Sequence, residues 1–197
     1  MRSESQQHRA FAVTVVWTLA LLTLGSVVHA TESSLACPDW PTCFGTMMPQ
    51  MEGGVFWEHL HRLVAGGLIL MFGLATWYVW KETPERRGRL RLCVAGLVLL
   101  LVQAVFGGLT VILLLPDAVS TTHLGLAFLF LGLAVVLAAR TSPRFAERRP
   151  SDRGHRRLLR VRGWTAAGLV FLQSLLGAAV RHADAGMACP DVPTCLG

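Results

Sequence analysis

The chain has 197 residues, 53% of them hydrophobic and 15% charged, with a formal net charge of +6. A soluble domain of this size carries roughly 25% charged residues, and here the apolar residues stand in long blocks. Disorder, a collagen-like rod and an ordinary cytosolic globule are thereby excluded. The basic excess is almost all Arg, gathered between apolar blocks without interleaved aromatics, so it reads as membrane-flanking loops and not as a nucleic-acid surface.

Five blocks are long enough to cross about 30 Å of hydrocarbon. Helix one is expected over Ala10–Ala30, after the basic start Met1–Arg9. That start could pass for a signal peptide, but the apolar run exceeds a signal core of roughly 7–15 residues, so the helix is expected to be retained. Helix two covers His59–Trp80, helix three Leu92–Leu115, helix four Thr122–Ala139 and helix five Gly163–Arg181. The N-terminal tail, Lys81–Arg91 and Arg140–Arg162 together hold sixteen Lys/Arg, whereas the opposite side holds only Arg62 and Arg181. This bias places the N-terminus in the cytoplasm, with Thr31–Glu58, Pro116–Thr121 and the C-terminal tail outside.

Gly25–Gly45 aligns with Gly177–Gly197 at ten of 21 positions, including Cys37-Pro-Asp-Trp-Pro-Thr-Cys43 and Cys189-Pro-Asp-Val-Pro-Thr-Cys195. Four helices separate the copies, so the repeat is parallel. The expected fold is an all-α integral membrane protein: a four-helix transmembrane bundle plus the first helix of a second, repeated bundle. Residues 1–140 form the first unit, 141–162 a basic cytoplasmic loop and 163–197 the start of the second unit. The chain is therefore expected to be the front part, or a short form, of an eight-helix protein.

Ionisable residues inside a membrane are functional candidates. Glu58, His61 and Arg62 share a helical face at spacings of three and four, with His59 pointing elsewhere. Ser120, Thr121 and Thr122 are placed to cap helix four ahead of His123. Helices two and four both start at the outer surface, which puts His61 and His123 at matched depth. Two such imidazoles can ligate one iron from opposite sides of a bundle; interfacial hydrogen bonding is the open alternative. Gly66, Gly67, Gly107, Gly108 and Gly125 would allow close approach of a backbone or a flat macrocycle.

His8 and His155 read as solvated, and His29 and His182 as interfacial. Gln103 and Gln173 read as helix-to-helix hydrogen-bonding residues, and Cys93 as a small core residue. An oxidising exterior permits disulfides, and a C-x5-C spacing is not that of a zinc site. Both pairs, Cys37–Cys43 and Cys189–Cys195, are read as disulfides, structural or redox-active.

Taken together, the Cys-Pro-Asp-Trp-Pro-Thr-Cys-Phe-Gly run, Glu58-x-x-His61-Arg62, Gln103-x-x-x-Gly107-Gly108 and Thr122-His123-Leu resemble the haem A synthase (CtaA/Cox15) family. The resemblance implies eight helices in two halves, each offering a histidine pair to a haem. It implies an oxidoreductase that converts the C8 methyl of haem O to the formyl group of haem A for cytochrome oxidase. Haem O would be the substrate in the first half, and haem b the electron-supplying cofactor in the second. His61 and His123 would bind the haem iron, Arg62 would contact the haem, Glu58 would be the acidic residue at the reaction site, and Cys37–Cys43 the loop disulfide. The second-half histidines would lie on helices six and eight, so turnover is expected to rest on a longer form.

Expected partners are haem O and haem A, a haem O synthase, cytochrome oxidase assembly factors and the lipid bilayer, a bacterial plasma membrane; a homo-oligomer is compatible and nucleic acid is not expected. Two other functions fit the same residues. One is a bis-histidine haem-binding electron-transfer or assembly module without hydroxylase activity. The other is a membrane thiol–disulfide oxidoreductase using the Cys pairs.

Overall fold

A computed structural model describes residues 2–81, 87–143 and 153–182. They form five helices: α1 Arg2–Ala30, α2 Gly53–Lys81, α3 Arg87–Ile112, α4 Asp117–Thr141 and α5 Arg153–His182. All five are long and apolar enough to cross a membrane. Only helices satisfy every backbone polar group within one segment in lipid. Among the described residues the single extended pairing is an isolated bridge between Cys43 and Thr46.

The helices run beyond the apolar blocks at most ends, because flanking polar residues continue the hydrogen-bond ladder into the headgroup zone. Helix α4 departs from expectation at its start. It is capped by Pro116 with no side-chain cap hydrogen bond, so the Ser120–Thr122 hydroxyls lie inside the helix instead of before it. The Thr122 hydroxyl turns back to donate to the Ala118 carbonyl at 2.6 Å, the usual outlet for a threonine inside a helix.

Helices α1 to α4 close a ring of neighbours, α1 against α2 and α4, and α3 against α2 and α4. Paired residues show the antiparallel order. Phe11 near the start of α1 meets Phe72 toward the end of α2 at 6.3 Å, and Phe72 meets Phe130 of α4 edge-on at 5.2 Å. Gly96 of α3 completes this layer: a β-carbon there would lie 2.7 Å from the Phe72 ring. Without a hydrophobic gain between helices in lipid, this closeness of small and large residues is what holds the bundle. Cys93 is buried in the same layer, as expected.

The His8 imidazole is not solvated. Its Nδ1 lies 2.9 Å from the Ala138 carbonyl and ties α1 to the end of α4. Further along, the Trp17 indole donates to the Val64 carbonyl at 3.2 Å. Helix α5 packs on the outside of α4, where Leu175 and Phe171 reach Gly125; most of its other apolar side chains, Trp164 and Leu169 among them, are exposed. Gln173 is exposed too, so it does not bridge helices. The side chains of His155 and His182, and the pair Cys189 and Cys195, lie outside the described residues.

Candidate functional site

At one end of the bundle the 31–52 loop leaves α1 and returns to α2. Cys37 and Cys43 form a disulfide within this loop, their Cα atoms 4.8 Å apart. The turn is organised by Asp39, whose carboxylate accepts from the Thr42 hydroxyl and from the N–H groups of Phe44 and Gly45 at 2.6 and 2.9 Å. Phe44 and Gly45 both have positive φ, 53° and 71°, which lets successive amides converge on one carboxylate. The Thr42 hydroxyl first, then the Gly45 N–H, hold the Asp39 carboxyl below its ordinary value.

The first two turns of α2 grip this loop. Glu58, 5% exposed, accepts the Cys37 N–H on Oε2 at 2.8 Å and pairs through Oε1 with Arg62 at 2.5 Å. Arg62 in turn donates to the Asp39 and Thr42 carbonyls, both at 2.7 Å. A guanidinium presents its donors as a rigid fork, so one side chain can serve a carboxylate and two carbonyls at once. Glu58 and Arg62, expected on one helical face, form an ion pair there, and both carboxylate oxygens are engaged. Trp40 extends the docking to α3. A β-carbon on Gly108 would sit 2.8 Å from its indole, so only glycine accommodates the ring there.

His59 was expected to point away, and it does, into the loop. Its Nε2 lies 3.0 Å from the Met47 carbonyl. Ligand atoms of His59, Cys37 and Cys43 fall within 4.8 Å of one another, but the two sulfurs are bonded to each other, so the group is an imidazole beside a disulfide. The Glu-His-Leu-His-Arg string carries this histidine in plain view; only the fold-back of the loop gives it a neighbour.

One turn deeper, His61 and His123 face the bundle interior from α2 and α4. His61 lies within electrostatic reach of His123 and of His29, and His29 also of His123. His29, expected as a purely interfacial residue, therefore borders the pair, while its Nδ1 lies 3.3 Å from the Ser34 hydroxyl. His61 Nδ1, His123 Nδ1, Gln103 Oε1 and Ser120 Oγ are all buried without a hydrogen-bond partner. Gln103 thus does not use its carbonyl to bridge helices, and its backbone lies beside the His123 ring.

Buried polar atoms normally find partners; His59 Nδ1, beside the disulfide, is a fifth such atom, and the four on or near the histidine pair mark a place prepared for something else. Each ring also rests against a glycine of the preceding helix: His61 on Gly25 and His123 on Gly107. Two imidazoles with uncommitted nitrogens, on facing helices with little bulk beside them, are the donor set that holds a haem iron from both sides. The residues present fit such a group.

A family model described as COX15-CtaA, cytochrome oxidase assembly protein, matches residues 8–55 and 50–197. A heme A synthase of Symbiobacterium thermophilum is 32% identical over 194 residues, covering 95% of this chain and 63% of its own length. One from Shewanella oneidensis is 29% identical, covering 94% of this chain and 60% of its own length. The chain thus spans about three fifths of the length of these curated relatives.

Proposed function

Since this chain belongs to the COX15-CtaA family of cytochrome oxidase assembly proteins, we propose that it forms the substrate-holding unit of a haem A synthase-like membrane oxidoreductase. The substrate is haem O and the product haem A, with one methyl group of the macrocycle raised to a formyl group. The observation that carries the reading is the pair of buried imidazoles, His61 and His123, whose Nδ1 atoms have no partner. Held there, haem O would be the substrate, and raising its methyl to a formyl group removes four electrons and adds one oxygen atom, which an external oxidant and oxygen source would supply.

The protein residues then do four things. His61 and His123 hold the iron from α2 and α4. Gln103 and Ser120 offer buried polar atoms beside that position. Arg62, a haem contact by resemblance, ties the disulfide loop over this end of the bundle. Glu58, the acidic residue at the reaction site by the same resemblance, has both oxygens occupied by Cys37 and Arg62. Its geometry supports a role in fixing the loop, with proton delivery available only when one of those partners lets go.

The sixteen-to-two charge bias supports a cytoplasmic N-terminus, with the Cys37–Cys43 loop on the opposite face. Haem b as electron-supplying cofactor is assigned to a second helix unit opened by α5, on the strength of the family resemblance. A haem O synthase and oxidase assembly factors are the proposed partners. Family membership favours this function over a thiol–disulfide oxidoreductase, in which the two buried histidines have no task.

Chromatography of haems extracted from the purified chain, produced in membranes that also make haem O, tests the reading. Haem O or haem A retained by the chain is the expected result. Haem b alone would favour the electron-transfer module, and no haem of any kind would overturn both.

A further inference from the structure

The two histidines stand in the same relation to two different helices. A β-carbon on Gly25 of α1 would lie 3.2 Å from His61 Cε1, 3.7 Å from its Nδ1 and 3.9 Å from its Nε2. One on Gly107 of α3 would lie 3.2, 3.8 and 3.8 Å from the same atoms of His123. Both glycines meet the imidazole edge-on at its Cε1 corner, and both contacts are closer than the ordinary 3.5–4.0 Å between carbons. Farther along the same helices as the histidines, the β-carbon positions of Gly73 and Gly132 meet nothing within 4 Å.

We propose that Gly25 and Gly107 are positioning residues that set the ring planes of His61 and His123, and so the mutual angle of two axial imidazoles. This rests on the reading of those histidines as haem ligands. The physical basis is the unequal stiffness of the histidine torsions. In a helix, χ1 is confined to two wells by the preceding turn, whereas χ2 of an aromatic side chain is broad. A methyl group added at either glycine must displace Cε1 by a few tenths of an ångström, and rotation about χ2 is the softest response. Because Cε1 and Nε2 lie on opposite sides of the Cβ–Cγ axis, that rotation turns the plane and carries Nε2 with it. With hydrogen at both glycines, the Cε1 edge of each ring abuts a smooth helix surface, which restrains the plane where Nδ1 has no hydrogen bond to do so.

A structural role in helix packing would behave differently, and Gly96 supplies the comparison. A methyl there meets the Phe72 ring at 2.7 Å, in the apolar layer away from the histidines. Gly96→Ala is expected to lower thermal stability and leave the iron signature alone.

The test uses the full chain purified in detergent with haem bound, and reads the ferric low-spin electron paramagnetic resonance spectrum, whose g-value spread reports the angle between axial ring planes, together with haem transfer to apomyoglobin. Gly25→Ala and Gly107→Ala are each expected to shift the g values and to release haem on the order of tenfold faster. Gly73→Ala and Gly132→Ala should match the parent chain. Unchanged g values and release rates in both Gly25→Ala and Gly107→Ala overturn the proposal. A parent chain that binds no haem overturns the functional reading, and this inference with it. Should Gly25→Ala fail to accumulate, the double variant Gly25→Ala/His61→Gly decides. Recovery to the level of His61→Gly shows that methyl and ring compete for one space, and no recovery shows that they do not.

Discussion

The backbone N–H of Cys37 donates to the Glu58 carboxylate across 2.8 Å, joining the disulfide loop to the first turn of α2. Through the same carboxylate the loop reaches Arg62, and through Arg62 it returns to its own carbonyls at Asp39 and Thr42. Loop and helix thus form one hydrogen-bonded unit directly above the two buried histidines.

Removing the acid should undo that unit. Glu58→Ala leaves the Arg62 guanidinium, 14% exposed, without its counter-charge and is expected to cost about 3 kcal/mol. Glu58→Gln keeps an acceptor for the Cys37 amide and should cost less. Thermal unfolding in detergent orders the three proteins; a Glu58→Gln midpoint equal to that of the parent would mean that the charge is irrelevant.

The second anchor is steric. Gly108→Ala drives a methyl into the Trp40 indole, and overpacking of this kind costs typically about 1–3 kcal/mol. Because the loop can lift where the bundle cannot, the loss should appear as access to the Cys37–Cys43 disulfide. Its reduction by a water-soluble phosphine should be several-fold faster in Gly108→Ala, and an unchanged rate would place Trp40 elsewhere in solution.

Asp39 gives the loop a pH dependence of definite sign. Its folded-state carboxyl is held below the ordinary value of 3.8 by the Thr42 hydroxyl and the Gly45 amide. The stabilisation is therefore complete above that value and is lost as pH falls through the lower, folded one. In an isotope-labelled chain the Gly45 amide resonance should hold its position down to about pH 4 and move only below it. Asp39→Asn should abolish that movement; the same acid transition in the variant would assign it to another group.

The membrane helices and the His61/His123 pairing were legible because both depend on spacing along one helix and on depth in the membrane, which apolar block lengths report. What escaped depends on side chains meeting across loops. His59 lies beside the disulfide only because the 31–52 segment folds back onto α2. Gly25 lies apart in sequence from the histidine it supports, and nothing in its local string distinguishes it from a packing glycine. His8 looked solvated in a basic tail, yet α1 extends through it and brings it to α4. The hydroxyls before His123 resembled a cap because the apolar run begins late, whereas Pro116 starts the helix a turn earlier.

The central claim is that His61 and His123 hold one iron between them. The reduced-minus-oxidised absorption spectrum of the purified chain, with His61→Ala and His123→Ala beside it, addresses that most directly. The account predicts a six-coordinate low-spin haem in the parent chain and loss of the low-spin bands in each variant separately. A parent chain that stays colourless when haem is supplied during production would contradict it, and so would a low-spin spectrum that survives either substitution.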